Sequence, residues 1–252
     1  MIAEYPSVDQ IPDLRRLWKE AFGDTDDFLD AFFETAFSPR RCRCITEQGS
    51  VQSVMYWFEV TCDGQRYAYL YAVATAKKSR GRGLFSALLE DVKQILKSEG
   101  YAGILLVPEG ESLARMYEKF GFTACTCNRE CIADAGEMPV LLREIGAQEY
   151  AKLRRRVLPE NSVLQEGEML DFLSRQYHFW AGEDWLATGQ IYNGKLVCCE
   201  LLGDESVMPG LLRALEVPVG HFRVPGEVQP FGWLLPLQSD CGRPAYFGLA
   251  LD

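Results

Sequence analysis

The sequence of 252 residues contains only two histidines, no long hydrophobic run and no excess of basic residues. Its apolar runs are far shorter than the ~20 residues of a membrane-spanning helix, so we expect no membrane partner. The first residues lack the basic and long apolar parts of a secretory signal, which predicts a cytoplasmic protein. Asp and Glu number 36 against 26 Lys and Arg, a net charge of −10. Because nucleic-acid binding depends on neutralising phosphates, this charge predicts no nucleic-acid partner.

The nine cysteines are an odd number in a chain without an export signal, so we expect free thiols rather than a disulfide framework. Cys42 and Cys44, like Cys125 and Cys127, are separated by a single residue. Structural zinc sites prefer a spacing of two to four residues between paired cysteines. We therefore predict no metal site and assign no chemical role to a cysteine.

The apolar pattern of the first half predicts alternating elements. Apolar residues recur at helical spacing over residues 9–21, and again from residue 84 to Gly100. Glycine-containing turns at Gln48-Gly49 and Asp63-Gly64 separate three strand-like runs, which indicates an antiparallel meander. The predicted order is strand, helix, helix, three strands, helix, strand, helix and strand, with the last strand over residues 122–131.

A second, similar layout begins near Met138. Strands are predicted over residues 140–145, 185–192 and 195–202, the last two joined by an Asn193-Gly194 hairpin turn. Helices are predicted over residues 149–158, 169–176 and 207–215, and short strands over 219–251. The aromatic residues of the last stretch either close a cleft or belong to the core.

A loop with two glycines connects a strand ending at Thr75 to the helix that starts at Leu84. Gly81 and Gly83 let an anion approach the backbone, and Lys78, Arg80 and Arg82 add positive charge. The run fits neither the P-loop nor the dinucleotide-binding fingerprint. Taken alone, it is either a pyrophosphate cradle or a tight turn with an exposed basic loop.

Two motifs resemble the GNAT N-acetyltransferase superfamily. Lys78-Ser79-Arg80-Gly81-Arg82-Gly83 is similar to its Gln/Arg-x-x-Gly-x-Gly/Ala signature, with Lys78 in the Gln/Arg position. Residues 112–122 are similar to its short helix ending in Tyr-x-x-x-Gly-Phe. The resemblance implies an α/β fold with a mixed, mostly antiparallel sheet and helices on both faces. It implies an acetyl-CoA-binding catalytic domain at residues 1–132 and a diverged second GNAT-like domain, without the pyrophosphate loop, at 133–252.

The resemblance also implies an activity, the transfer of acetyl from acetyl-CoA to the amine of a small molecule or peptide by direct attack in a ternary complex. Tyr117 would protonate the departing thiolate, although its alternative is a core aromatic. Ser112 stands where the family often has an asparagine that contacts the coenzyme. The residues implied to bind the coenzyme are Val73, Ala74, Thr75, Lys78, Arg80, Gly81, Arg82, Gly83, Leu84, Phe85, Ser112 and Tyr117.

The general base is the least defined part of the predicted site. Glu59 is the only acid inside the run Tyr56–Val60, and its alternative is a solvent-facing position in an alternating strand. Glu109 and Glu111 are rivals. Aromatic residues of the two neighbouring strands either line an acceptor pocket or fill the core. Two other functions stay open, a non-catalytic acyl-CoA-binding module and a transferase with another acyl-CoA donor, and the protein is expected to be a monomer or a homodimer.

Overall fold

A computed structural model describes residues 2–250. Two compact units share the chain, and neither is continuous in sequence. The first contains residues 2–60, Gly64–Leu106 and Leu235–Gly242. The second contains Thr61–Asp63, Val107–Leu234 and residues 243–250.

Three helices belong to the first unit: α1 Ile11–Phe22, α2 Asp26–Thr35 and α3 Leu84–Ser98. α1 ends at Gly23, whose left-handed backbone (φ 79°) suits a glycine C-cap. The Thr25 side chain accepts the Phe28 N–H and caps α2. The helices predicted over residues 9–21 and from residue 84 are confirmed.

Five strands of the first unit lie side by side in chain order: β1 Ala3–Glu4, β2 Cys42–Glu47, β3 Ser50–Cys62, β4 Gln65–Thr75 and β5 Gly103–Leu106. β1, β2 and β3 pair antiparallel, whereas β4 and β5 pair parallel. Both predicted hairpin turns are present, and Gln48, Gly49, Asp63 and Gly64 all have positive φ. These residue types tolerate that conformation, which is why the turns could be recognised.

A segment from the far end of the chain completes the first unit. Leu237 donates its backbone N–H to the Ala102 carbonyl at 2.8 Å. The Tyr67 hydroxyl donates to the Gly242 carbonyl at 2.8 Å, and Gln65 Nε2 donates to the Asp240 carbonyl at 2.9 Å. Residues 235–242 therefore stabilise the N-terminal sheet.

The second unit contains four helices and nine strands among the described residues. The helices are α4 Gly110–Glu118, α5 Ala147–Val157, α6 Glu168–Leu173 and α7 Met208–Ala214. The strands are β6 Thr123–Ala124, β7 Cys127–Asp134, β8 Arg143–Ile145, β9 His178–Ala181, β10 Trp185–Tyr192, β11 Lys195–Gly203, β12 Val219–Pro225, β13 Gln229–Pro230 and β14 Trp233–Pro236, the last ending on residues of the first unit. Seven of these strands form one sheet in the order β13-β7-β12-β11-β10-β9-β8.

Two predictions for the second unit need correction. The strand predicted over residues 122–131 is interrupted, because the N–H groups of Cys125 and Thr126 both donate to the Gly232 carbonyl, at 2.8 and 3.2 Å. β6 therefore pairs with β14, and β7 pairs with β12. The strand predicted from residue 140 starts only at Arg143, and β9 was not predicted.

The second sheet repeats the layout of the first. β8 to β12 lie in chain order, two helices separate β8 from β9, and the last pair is parallel. The β4–β5 pairs run from Tyr67 to Tyr69, and the β11–β12 pairs run from Leu196 to Cys198. Both sheets are mixed and mostly antiparallel, as predicted for the fold class.

A buried ion pair lies in the core of the second unit. Arg154 Nε donates to Glu200 Oε2 at 2.6 Å, and the hydroxyls of Tyr150 and Tyr246 also donate to Glu200, at 2.8 and 3.0 Å. Tyr246 and Phe247 are buried, so these aromatic residues near the C-terminus belong to the core.

Candidate coenzyme-binding site

The second half of β4 extends beyond its registered pairs with β5, and we call it the separated part of β4. Their registered pairs end at Tyr69 and Leu105, while β4 continues to Thr75. Between these points Ala72 has a left-handed backbone (φ 49°), which is uncommon for a residue with a side chain.

Hydrogen bonds fix which main-chain groups of β4 face β3. The Ala74 carbonyl accepts from Ser53 Oγ at 3.2 Å, and the Ala76 N–H donates to the Gln52 carbonyl at 2.8 Å. Because successive residues of a strand point their main-chain groups to opposite sides, Val73 and Thr75 point away from β3. Of the three predicted β4 positions, the structure thus turns Val73 and Thr75 to the separated edge and turns Ala74 toward β3.

The N-terminus of α3 carries the predicted anion site. Gly83 is its N-cap, with φ 77° and no capping side chain, and Gly81 also has positive φ (74°). A Cβ at either glycine would meet no atom within 4 Å. The first N–H groups of a helix have no partner inside the helix, and its dipole is positive there. The exposed turn before Leu84 and Phe85 therefore has the backbone features of an anion site.

Two contacts hold this loop in place. Ser79 is buried and donates its hydroxyl to Gln52 Oε1 at 2.8 Å. The Lys77 N–H donates to Glu20 Oε1 at 2.6 Å. The sequence did not indicate these anchors, although polar Gln52 and Ser53 inside an apolar strand were a usable signal.

The three basic side chains of the loop are not equivalent. Arg82 binds the Glu47 carboxylate through two nitrogens, at 2.8 and 3.0 Å, so its charge is offset. Arg80 Nε donates to the Thr75 carbonyl at 3.1 Å, and Lys78 is exposed. Within residues 2–250, neither Lys78 nor Arg80 forms an ion pair, so both can attract an anion.

Tyr117 and Ser112 lie on α4 in the second unit. Tyr117 is 9% exposed and packs its ring edge-to-face against Phe122, with centroids 5.5 Å apart. Burial raises the pKa of the Tyr117 phenol to about 12. The hydroxyl is therefore protonated at neutral pH, as a proton donor must be. Ser112 is exposed in the first turn of α4.

Glu59 lies near the hairpin that joins β3 to β4. Its exposed carboxylate pairs with Arg66 at 3.3 Å and accepts the Tyr101 hydroxyl at 2.7 Å. Arg66 precedes Val73 by seven residues, or about 23 Å along a strand. The structure does not bring Glu59 to the separated part of β4. Of its rivals, Glu109 precedes α4, and exposed Glu111 pairs with Arg115 at 2.7 Å.

Aromatic residues on one face of the first sheet pack against α1 and α2. Trp18 lies 4.6 Å from Phe32, 5.3 Å from Tyr56 and 5.6 Å from Tyr71, measured between ring centroids. This face is mainly core, although Tyr71 is only partly buried.

All nine cysteines are free. Residues 2–250 contain no group of three or more His, Cys, Asp or Glu residues placed to hold a metal ion. No helix in the same part of the chain is long and apolar enough to cross a membrane.

Comparison with known proteins matches the first half of the chain to a family. Residues 5–125 match the model of the acetyltransferase (GNAT) domain. No curated protein matches the chain.

Several solved structures resemble the whole chain. A GCN5-related N-acetyltransferase from Kribbella flavida has a TM-score of 0.68 at 16% identity, covering 94% of this chain and 72% of its own. A putative acetyltransferase from Pyrococcus horikoshii has a TM-score of 0.65 at 15% identity, covering 98% and 93%. A tandem GNAT protein from the clavulanic acid biosynthesis pathway has a TM-score of 0.57 at 10% identity, covering 95% and 100%. These structures share the fold of this chain, and the domain match covers the loop at residues 78–85. Residues 5–125 therefore form an acetyltransferase domain of the GNAT family.

Proposed function

We propose that this protein is an acetyl-CoA-dependent N-acetyltransferase that acts on the amine of a small molecule or peptide. The observation that carries the proposal is the exposed, glycine-capped N-terminus of α3, which follows directly on the separated edge of β4. A helix N-terminus of this kind binds a diphosphate through backbone N–H groups.

The coenzyme would lie along residues that already point outward. The N–H groups of residues 81–85 bind the pyrophosphate, with the side-chain charges of Lys78 and Arg80 beside them. Val73 and Thr75 pair with the amides of the pantetheine arm, much as a neighbouring strand would. In the second unit the turn at the corresponding place carries Asp204, whose carboxylate accepts the Ser206 N–H at 2.9 Å. That carboxylate would repel an anion, which supports a single coenzyme site.

The proposed transfer is direct. The neutral amine attacks the thioester carbonyl, and a C–N bond forms as the carbonyl oxygen becomes an oxyanion. The Val73 N–H donates to that oxyanion. The C–S bond then breaks, and the Tyr117 hydroxyl gives its proton to the coenzyme thiolate. The ammonium proton of the acceptor restores the phenol through solvent.

The mechanism takes the amine in its neutral form and assigns no side chain as its base. An alkyl ammonium has a pKa of about 10.4, so only a small fraction is neutral at pH 7. Turnover should therefore rise with pH up to that range. Glu59 stays a prediction from the sequence, and its ion pair with Arg66 gives it no part in the proposed steps.

Release of free coenzyme thiol from acetyl-CoA in the presence of a panel of amines tests the activity. The panel should contain a polyamine, an aminoglycoside, a lysine peptide and a peptide with a free N-terminus. Arg80→Glu should raise the KM for acetyl-CoA about tenfold or more, because a charge-assisted hydrogen bond is lost. Arg156→Glu, the same charge change at an exposed arginine of α5, should leave KM unchanged. Coenzyme binding without amine-dependent thiol release would instead support a non-catalytic acyl-CoA-binding module.

A further inference from the structure

A cavity of about 640 Å³ lies on the outer face of the second sheet, across β11, β12 and β7. Val197, His221 and Ile132 are register partners on these three strands, so their side chains form one row across the cavity. Tyr177 and Tyr192 also line it. Every lining residue belongs to the second unit, which has no glycine-rich loop of the kind found before α3.

The opposite face of these strands is covered by α7. Leu196, Cys198 and Phe222 pack there in a core that contains Leu211 and Leu212. On the cavity face, several apolar side chains of these strands remain exposed. Ile132 is 69% exposed, Tyr192 63% and Val197 40%, and exposed apolar side chains in contiguous positions mark interaction sites.

The polar groups of the cavity are mainly cationic or hydrogen-bond donors. Lys195 precedes Val197 by two residues, so it projects from the same face. Lys195 and His221 are both exposed, and within residues 2–250 neither the Lys195 ammonium nor the His221 ring has an ion pair or a side-chain hydrogen bond. The lining contains one carboxylate, Glu130, and it lies directly across from Arg223 in the register. An uncompensated ammonium beside an apolar row stands out in a chain with a net charge of −10.

We propose that this cavity binds a small amphipathic monoanion, a carboxylate or sulfonate with an apolar or aromatic body. Lys195 and the His221 ring hold the acidic group, and Ile132, Val197 and Tyr192 contact the apolar body. The volume is within the roughly 300–1,000 Å³ of ligand pockets in proteins. This site is independent of acetyl transfer, because no residue assigned to the coenzyme lines it.

The probe for the test is 8-anilinonaphthalene-1-sulfonate, an anion with an aromatic body, added to the intact protein and displaced by decanoate. Ile132→Asp should weaken probe binding about tenfold or more, since it removes apolar contact and adds a like charge. Val228→Asp changes a residue of equal exposure, 69%, outside the cavity and should leave binding unchanged. Lys195→Glu should weaken binding as well, whereas Lys152→Glu on α5 should not.

Three results would overturn the proposal. One is equal probe binding by Ile132→Asp and Val228→Asp in proteins with unchanged circular dichroism. Another is binding of the probe that Lys195→Glu leaves intact, which would indicate apolar adsorption without anion recognition. The third is a wild-type dimer in sedimentation that Ile132→Asp converts to a monomer, which would assign this face to a second copy of the chain.

Discussion

Replacing Tyr117 with phenylalanine removes one hydroxyl and keeps the ring that packs on Phe122. The proton that the hydroxyl would donate is held strongly, because burial raises the phenol pKa to about 12. A thiol has a reference pKa of about 8.5, below that of this phenol, so complete transfer of the proton to the thiolate is unfavourable by about 5 kcal/mol. Transfer is therefore favourable only when it is coupled to the return of the acceptor's ammonium proton to the phenol. A positioned acid of this kind contributes about 10²–10⁴-fold.

The expected result for Tyr117→Phe is a fall in kcat by at least about 100-fold, with little change in the affinity for acetyl-CoA. Steady-state thiol release gives kcat, and calorimetry gives the affinity. The wild-type pH profile should show no loss of activity from Tyr117 ionisation below about pH 11, since the phenol stays neutral there. Tyr101→Phe is the control, because this phenol contacts Glu59 near the hairpin end of β4.

A Tyr117→Phe variant whose kcat is within twofold of the wild type would refute the proton-donor role. Equal losses in Tyr117→Phe and Tyr101→Phe would also count against it, because the effect would then follow from removing a hydrogen-bonding phenol anywhere in the protein.

Three further predictions concern other residues. Glu59→Gln should retain kcat within about twofold, because the Glu59 carboxylate is paired with Arg66 at the hairpin end of β4, far from Val73. A loss of about 100-fold in kcat would instead support Glu59 as the general base. Arg154→Met should lower the free energy of unfolding by about 3–5 kcal/mol, because the Glu200 carboxylate would then be buried without its cation. Since each 1 kcal/mol lowers the thermal midpoint by a few degrees, a midpoint within about 2 °C of the wild type would contradict this. Burial also raises the phenol pKa values of Tyr150 and Tyr246, so their contribution to stability is present below about pH 10 and is lost as pH rises above it. The thermal midpoint should therefore be lower at pH 11 than at pH 9, and equal midpoints would be inconsistent with buried neutral phenols.

Local patterns predicted most of the elements. The hairpin at Asn193-Gly194 was recognisable because both residues adopt positive φ readily, and both do so in the structure. The helix that ends before Gly100 followed from apolar spacing and a glycine with φ 79°. These signals depend on a few neighbouring residues, so they can be recognised without knowledge of any tertiary contact.

Contacts between distant residues were not predictable in this way. The break after β6 depends on the Gly232 carbonyl, more than 100 residues later, which accepts from Cys125 and Thr126. The return of residues 235–242 to the first unit likewise depends on Ala102. The candidate site likewise combines features set by neighbouring residues with features set by distant contacts. The glycines and basic residues of the loop were visible in the sequence, whereas the Arg82–Glu47 pair and the buried Ser79 anchor were not.

The central claim is that backbone amides at the N-terminus of α3 hold the diphosphate of acetyl-CoA. Gly83 and Gly100 flank the two ends of this helix with φ of 77° and 79°, and a side chain at either meets open space. Valine at either position costs a similar backbone strain of about 1–2 kcal/mol, but only at Gly83 does it cover the amides.

Calorimetric titration of acetyl-CoA into the wild type, Gly83→Val and Gly100→Val tests this claim most directly. We expect binding to the wild type and to Gly100→Val, and at least about 100-fold weaker binding to Gly83→Val, the loss of one or two charge-assisted hydrogen bonds. Equal affinity of the two variants, or no heat from the wild type at millimolar acetyl-CoA, would contradict the account.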